Sequence, residues 1–164
     1  MNHYQRQLLL AAPPATVYRA LTTPPGLRDW WTQTCDIATT VGGQSTFHFN
    51  QTRKVMQIES LAPDREVRWL CVQAHIDASR LQHKDEWVGT HIVFKLSPQD
   101  GGTTRLDFEH IGLNPALECF DICRDGWDQF LGSLQSLVET GQGKPFVAAK
   151  PRSAGAVETM GATA

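Results

Sequence analysis

The strongest indication of the fold comes from residues 114–141, NPALECFDICRDGWDQFLGSLQSLVETG. Apolar side chains recur in it at steps of three and four residues, which is the spacing of one face of an α-helix. These are Phe120, Cys123, Trp127, Phe130, Leu131, Leu134 and Val138. Asn114 and Pro115 are typical of a helix start and Gly141 of a helix end. The stretch therefore predicts a long amphipathic helix near the end of the chain.

The chain before this helix supplies an apolar surface for it to cover. Residues 3–11 predict a strand, and prolines open two short helices in APPATVYRALTT (12–23) and PPGLRDWW (24–31). Beyond them the apolar residues alternate with period two, as in strands. Five such segments follow: QSTFHFN (44–50), KVMQIESL (54–61), REVRWLCVQ (65–73), WVGTHIVFKLS (87–97) and TTRLDFEHIGL (103–113). The predicted class is α+β.

The last two predicted strands show which way the sheet faces. Their inward set is Thr90, Ile92, Phe94, Leu96, Thr104, Leu106, Phe108 and His110, whereas His91, Val93, Lys95, Arg105, Asp107 and Glu109 alternate with them on the outer face. Such one-sided alternation is typical of an antiparallel sheet with one solvated face and one covered face. We expect the long helix to lie across the concave face of this sheet.

Composition and charge exclude several classes of protein. With 164 residues, 41% hydrophobic and 20% charged, the chain fits one globular domain with a real core. The formal net charge is -2 and no Lys/Arg run interleaves with aromatic residues, which disfavours nucleic-acid binding. No run approaches the roughly 18 apolar residues of a membrane span. The early LLLAAPPA is too short for a signal peptide, so we expect a cytoplasmic protein.

The four cysteines, Cys35, Cys71, Cys119 and Cys123, form no CxxC pair and no histidine has ligand spacing to them. The sequence therefore predicts no metal site, and no motif predicts a cofactor. Cys119 and Cys123 would share one helix face, either as a reactive pair or as buried free cysteines that act as small hydrophobes.

Six segments, taken in order, resemble a known superfamily. ATVYRALTTPPGLRDWWT, VGGQSTFHF, VRWLCV, WVGTHIVFKLS, GGTTRLDFEHIGL and CRDGWDQFLGSLQSLVETGQGKPF are similar to the START-like or SRPBCC superfamily, in its bacterial branch resembling activators of heat-shock protein 90 ATPase. The resemblance implies a helix-grip fold over residues 3–146, and residues 147–164 are then expected to be a flexible tail. It also implies a cleft between sheet and long helix, with Trp30 and Trp31 packing the rim of its mouth.

A cleft of this kind predicts a small-molecule site lined by aromatic side chains. The predicted lining residues are Phe47, Phe49, Trp69, Phe94, Phe108, His110, Phe120, Cys123 and Trp127, with Trp30 and Trp31 at the mouth. Large side chains can instead fill such a space completely, as close-packed interiors do.

His110 is the one candidate for catalysis, although no catalytic residue is assigned. It can act as a general acid or base, or orient a ligand carbonyl. It can equally be a core histidine bonded to a backbone carbonyl or to a hydroxyl such as that of Thr90. Cys123 across the cleft would complete a nucleophile–histidine pair, but no GxSxG-type motif accompanies it.

Three functions follow from the fold that the resemblance implies, because fold alone does not decide between them. The first is binding of a hydrophobic or aromatic small molecule between sheet and C-terminal helix. The second is a polyketide cyclase or hydrolase that uses His110. The third is a chaperone ATPase activator that works through protein interaction. A homodimer is left open. The charged residues Lys84, Asp85 and Glu86 could gate an opening, bind a partner or form a solvated loop.

Overall fold

The computed structural model describes residues 3–148, which form one seven-stranded sheet and three α-helices. In chain order these are β1 (Tyr4–Leu10), α1 (Pro14–Thr22), α2 (Pro24–Trp30), β2 (Cys35–Asp36), β3 (Gln44–Phe49), β4 (Thr52–Ala62), β5 (Glu66–His75), β6 (His91–Gln99), β7 (Thr103–Ile111) and α3 (Phe120–Thr140). The strands lie in the order β1-β7-β6-β5-β4-β3-β2, all antiparallel. The predicted α+β helix-grip fold is confirmed. Most of the predicted tail, residues 149–164, lies outside the described part of the chain.

The long helix begins later than its sequence signals predict. α3 starts at Phe120, because the Asn114 side chain closes a separate turn by accepting a hydrogen bond from the Ala116 N–H at 2.9 Å. The end is where the sequence predicts it. Gly141 adopts a left-handed φ of 87°, and its N–H donates to the Leu137 carbonyl at 2.8 Å.

Two strands also differ from the sequence pattern. β6 starts at His91 rather than at residue 87, because Gly89, with a φ of +88°, turns the chain before it. β2 was not predicted, since two residues are too few for a visible alternation. It pairs with β3 at Cys35–Phe47 and Asp36–Thr46 and forms one edge of the sheet.

The inner face of the sheet carries the apolar set that alternation predicts. The buried residues of β6 and β7 on this face are Ile92, Phe94, Leu96, Thr104, Leu106, Phe108 and His110. Val93, predicted to point outward, is nevertheless only 1% exposed. It lies between Arg68 of β5 and Glu109 of β7 in the register, and the stems of such long side chains cover apolar neighbours.

All three helices cover the inner face. Trp127 of α3 lies 4.6 Å from Phe108 of β7 between ring centres, and Phe130 lies 5.7 Å from Phe49 of β3, so α3 crosses the sheet. Trp30 of α2 packs edge-to-face on Phe94 of β6, with the two ring centres 6.4 Å apart. None of the helices in residues 3–148 combines the length and apolar character needed to cross a membrane.

The segment after α3 folds back onto the end of α2. The Phe146 N–H donates to the Trp31 carbonyl at 2.8 Å, and the Gln33 N–H donates to the Phe146 carbonyl at 3.0 Å. Gly143 permits this approach, because a Cβ there would lie 2.2 Å from the Asp29 carbonyl oxygen. The ring of Phe146 thereby closes one end of the core.

Candidate functional site

All five tryptophans of the chain join in one contact cluster between the sheet and the helices. Trp31 stacks on Trp30, Trp69 and Trp127 with ring centres 5.7, 5.8 and 5.3 Å apart. Trp127 then stacks on Trp87 at 5.9 Å. These indoles come from α2 and the residue after it, β5, the loop after β5 and α3. Trp31 therefore lies at the centre of the core, where elements distant in sequence meet.

Trp30 and Trp31, predicted to pack the rim of a cleft, are both buried. Trp30 is 0% and Trp31 1% exposed. The Trp30 indole N–H donates to the Ala20 carbonyl at 2.8 Å, which satisfies the polar atom of a ring buried under α1. Both rings point into the core, where Trp30 contacts Phe94 and Trp31 stacks on Trp69 and Trp127.

The other predicted lining residues also meet in this cluster, with one exception. Phe47, Phe49, Trp69, Phe94, Phe108, His110, Cys123 and Trp127 are each 3% exposed or less. Phe120 is only partly buried at the first residue of α3, with the Arg124 guanidinium 5.7 Å from its ring centre. It touches the edge of the core and lies away from the central indoles.

Side chains fill most of the space between sheet and long helix. A narrow unfilled space is bordered by Trp31, Lys54, Trp87, Cys123, Gly126, Trp127 and Phe130, and none of it holds a sphere the size of water. Ligand pockets usually measure roughly 300–1,000 Å³. A small molecule can therefore enter here only if some of these aromatic side chains move apart.

We call the aromatic side chains around this space, those of Trp31, Phe49, Trp87, Trp127 and Phe130, the aromatic wall. Lys54 lies inside this wall. It is 1% exposed, and its ammonium nitrogen lies 3.7 Å from the Trp87 ring centre and 5.0 Å from that of Phe49. No ion pair among the described residues includes it. Burial lowers the pKa of Lys54 to about 8, because the charged form loses its hydration.

Beside Lys54 lie two thiols one helical turn apart: that of Cys119, the residue before α3, and that of Cys123. The Trp87 indole N–H donates to the Cys123 sulfur at 3.1 Å. A hydrogen bond from the Cys119 thiol lowers the pKa of Cys123, and the Lys54 charge acts in the same direction. All four cysteines are free and buried. The two thiols thus add a weakly acidic group to the aromatic wall.

His110 is satisfied on both ring nitrogens. The Trp127 indole N–H donates to Nδ1 at 3.0 Å, and Nε2 lies 2.8 Å from the Thr90 hydroxyl. That hydroxyl donates its proton to the Trp87 carbonyl at 2.6 Å, so Nε2 must be the protonated nitrogen. Complete burial holds the pKa of His110 well below its usual range. This matches the core-histidine interpretation, with Thr90 as its partner.

The loop between β5 and β6 is fastened to the start of α3 by two carboxylates. Glu86 accepts the N–H groups of Glu118 and Cys119 at 3.2 and 3.0 Å. Glu118 in return accepts those of Gln82 and His83 at 3.1 and 2.7 Å. We call these paired contacts the carboxylate clamp. The clamp holds Trp87 over Lys54 and Cys123.

A larger depression of about 540 Å³ lies on the outer side of the sheet, around Gln7, Lys95 and Asp107. Its polar groups largely pair with one another, as Gln7 does with Asp107 at 3.0 Å. It is also open to solvent. Within residues 3–148, no group of three or more His, Cys, Asp or Glu side chains forms a candidate metal site. The aromatic wall is therefore the stronger candidate site.

Sequence reasoning missed Lys54 and Trp87. Lys54 alternates with Met56 and Ile58 along β4 and lies opposite Phe47 of β3, which places it on the inner face. This alternation is visible in the sequence and indicates that Lys54 faces inward. Trp87 carried no such signal, because it precedes β6 in a turn and is positioned by the carboxylate clamp.

The sequence of this chain matches one known protein family. The sequence model of the family described as activator of Hsp90 ATPase homolog 1-like protein matches residues 11–139. The chain belongs to this family. Among curated proteins, none matches the sequence significantly.

Several solved structures resemble this family member. The Aha1 dimer from Colwellia psychrerythraea is 29% identical, with a TM-score of 0.73 over 87% of this chain and 100% of that one. A Chromobacterium violaceum protein is 23% identical, with a TM-score of 0.63 over 85% and 99% of the two chains. DynU16, from the dynemicin biosynthetic locus, is 18% identical, with a TM-score of 0.66 over 87% of this chain and 49% of that one. The last two likenesses concern the fold alone.

Proposed function

We propose that this protein binds a small hydrophobic or aromatic molecule between its sheet and α3. The observation that carries the proposal is the convergence of Lys54 and Cys123 on one unfilled space in an otherwise aromatic wall. An apolar pocket with a few convergent polar groups of shifted pKa is the usual form of a ligand site. Binding would widen the space by moving Trp87, whose loop is held by the carboxylate clamp.

The packing of this region supports a ligand that displaces side chains. Trp31, Trp127 and Phe130 line the space, and Trp127 is the ring that joins Trp31 to Trp87. A planar apolar molecule inserted among these rings would replace stacking contacts with similar ones. The cost of opening is then offset by aromatic contacts to the ligand.

The test is a titration of the full chain with naphthalene derivatives, flavonoids and medium-chain lipids. Tryptophan fluorescence reports on the site because Trp31, Trp87 and Trp127 border it. Thermal shift reports binding, because a molecule that binds only the folded state raises the melting temperature. We expect at least one chemical class to give a saturable change in both signals.

A pair of variants on α3 locates the site. Cys123→Leu adds bulk to the unfilled space, and we expect it to weaken binding by about tenfold or more, which is about 1.4 kcal/mol. Gly132→Leu is the control, because Gly132 lies on the exposed side of the same helix with open space around it. Equal binding by both folded variants would place the site elsewhere, and no response to any class would overturn the proposal.

The family assignment supports a second candidate, a chaperone ATPase activator. The family is described by its activator of Hsp90 ATPase, and the 29% identical Colwellia protein carries the Aha1 name. The test is the ATPase rate of a bacterial heat-shock protein 90 with saturating amounts of this chain. An unchanged rate would eliminate this candidate.

We also propose that this chain forms a homodimer, because the Colwellia structure is a dimer. Light scattering after size exclusion would report twice the 18.2 kDa chain mass for a homodimer. A monomer at concentrations of tens of micromolar would speak against it.

The cyclase or hydrolase alternative finds less support. Both nitrogens of His110 are engaged, by Trp127 and Thr90, so that neither is free to move a substrate proton. Trp87 occupies the sulfur of Cys123 with its indole N–H. We therefore infer that His110 holds the core together.

A further inference from the structure

We propose that the ligand of this site is an organic anion: an apolar, preferably aromatic body that carries one acidic oxygen group, bound with that group against Lys54. The proposal rests on the proposed function, since it names the chemical class that the same site accepts.

The polar part of the wall consists mainly of hydrogen-bond donors. The Lys54 ammonium can only donate, and so can the Trp87 indole N–H, which now points at the Cys123 sulfur. Both residues border the same unfilled space. An oxygen anion accepts hydrogen bonds from both kinds of donor, whereas an ammonium group or a second donor finds no strong acceptor there.

The charge of Lys54 is poorly balanced within the protein. The acidic groups that act on it are the thiols of Cys123, Cys71 and Cys119, which are weak acids, and no carboxylate pairs with it among the described residues. The faces of Trp87 and Phe49 attract a cation but replace little of its lost hydration. A carboxylate entering the space would supply the missing counter-charge in a region of low dielectric constant.

The rest of the wall fits the apolar body of such a molecule. Trp31, Trp127 and Phe130 border the same space with their aromatic rings, and the Trp127 N–H is used by His110. The ligand would therefore bind with its acidic group toward Lys54 of β4 and its apolar body toward α3.

Lys54 differs from the other lysines in this respect. Lys84 donates to the carbonyls of Ala78 and Leu81 at 2.9 and 2.7 Å, which satisfies its charge within the loop. Lys95 is exposed on the outer face of β6. Lys54 alone, among the lysines of the described residues, is buried in the aromatic wall.

The experiment compares matched headgroups on two scaffolds by isothermal titration calorimetry at pH 7. The probes are 2-naphthoate against 2-naphthylmethanol and 2-naphthylmethylamine, and decanoate against decanol. We expect the wild-type chain to bind the carboxylate of at least one scaffold about tenfold tighter than its alcohol, and to bind the amine most weakly. Lys54→Met should remove that preference, while Lys95→Met, the matched control, should keep it.

The outcomes separate the two proposals. Equal affinity for carboxylate and alcohol in the wild-type chain overturns the anion preference and leaves ligand binding standing, and so does a preference that survives in Lys54→Met. Absence of binding by every probe overturns both. The comparison of headgroups in the wild-type chain decides the question even if Lys54→Met fails to fold.

Discussion

The ammonium group of Lys54 lies 3.7 Å from the ring centre of Trp87, inside a wall of aromatic side chains. One residue is a strand lysine and the other belongs to a loop that the carboxylate clamp holds in place. Their contact places a buried charge where the fold could have placed a methionine or a leucine. A charge retained at such a cost points to a use other than stability.

Lys54→Met should stabilise the protein at neutral pH. The folded-state pKa of about 8 lies below the ordinary value of 10.5, and this difference corresponds to roughly 3 kcal/mol at about 1.4 kcal/mol per tenfold change. Below pH 8 both states carry the charge, and the folded state bears the cost of burying it. Removing the charge removes that cost, as measured by urea unfolding at pH 7.

The gain should shrink as pH rises from 8 to 10.5. In this window the unfolded chain still binds the lysine proton and the folded chain has released it, so the wild-type free energy of unfolding rises with pH. Cys71, whose pKa burial raises from 9.0 to about 12, acts in the opposite direction above about pH 9. The Lys54 charge lowers the pKa of Cys71, so the difference between the two proteins above pH 9 also contains the response of this thiol. A variant less stable than wild type at pH 7 would contradict this reasoning.

His110 should stay neutral in the folded protein well below pH 6.5, with its proton on Nε2. The Trp127 N–H occupies Nδ1, and burial lowers the pKa of the imidazole. Since the unfolded chain binds the proton first, this residue makes stability fall as pH decreases below about 6.5. Long-range ¹H–¹⁵N spectra distinguish the two ring nitrogens directly. A proton on Nδ1, or titration near pH 6.5, would show that the assigned hydrogen bonds are wrong.

The sequence predicts the fold well because periodicity carries the needed information. Alternation placed Phe49 and Phe108 on the inner face, and the three- and four-residue spacing of α3 placed Phe130 and Trp127 against them. Helix starts are harder, because an Asn-Pro pair also begins an isolated turn, as it does at Asn114. The clamp residue Glu86, distant in sequence, meets the helix start instead.

The interior of the site was less predictable. Whether aromatic side chains leave a cavity or fill it depends on how rings from three distant segments stack, as Trp31, Trp69 and Trp127 do. No local pattern encodes that stacking. The alternation of Lys54 with Met56 along β4 indicates that Lys54 faces inward. Charged residues are usually exposed, however, and this general tendency predicts the opposite position.

Glu86→Ala should open the carboxylate clamp. The variant leaves the N–H groups of Glu118 and Cys119 without their acceptor, which costs about 1–3 kcal/mol where such groups are buried. We expect faster hydrogen exchange at these two amides and in the loop that carries Trp87. Asp85→Ala is the neighbouring control, because Asp85 is exposed and outside the clamp. Identical exchange in both variants would mean that the clamp does not hold the loop.

Trp31→Ala should convert the filled core into an open one. Trp31 stacks on three indoles and contacts Phe47 at 4.3 Å, so its removal leaves a large apolar cavity and costs about 3–5 kcal/mol. Apolar cavities of this kind stay dry and take up small aromatic molecules. Added indole should therefore raise the melting temperature of Trp31→Ala more than that of the wild-type chain.

The control for this rescue is Leu9→Ala, because Leu9 is 63% exposed on β1. Its stability should change little, and indole should not raise its melting temperature beyond the wild-type response. If Trp31→Ala cost less than about 1 kcal/mol, its ring would not be packed as the structure has it. Rescue by indole would establish that the wall around Trp31 accepts a planar apolar guest once one ring is absent, which is the rearrangement that ligand binding at this site requires.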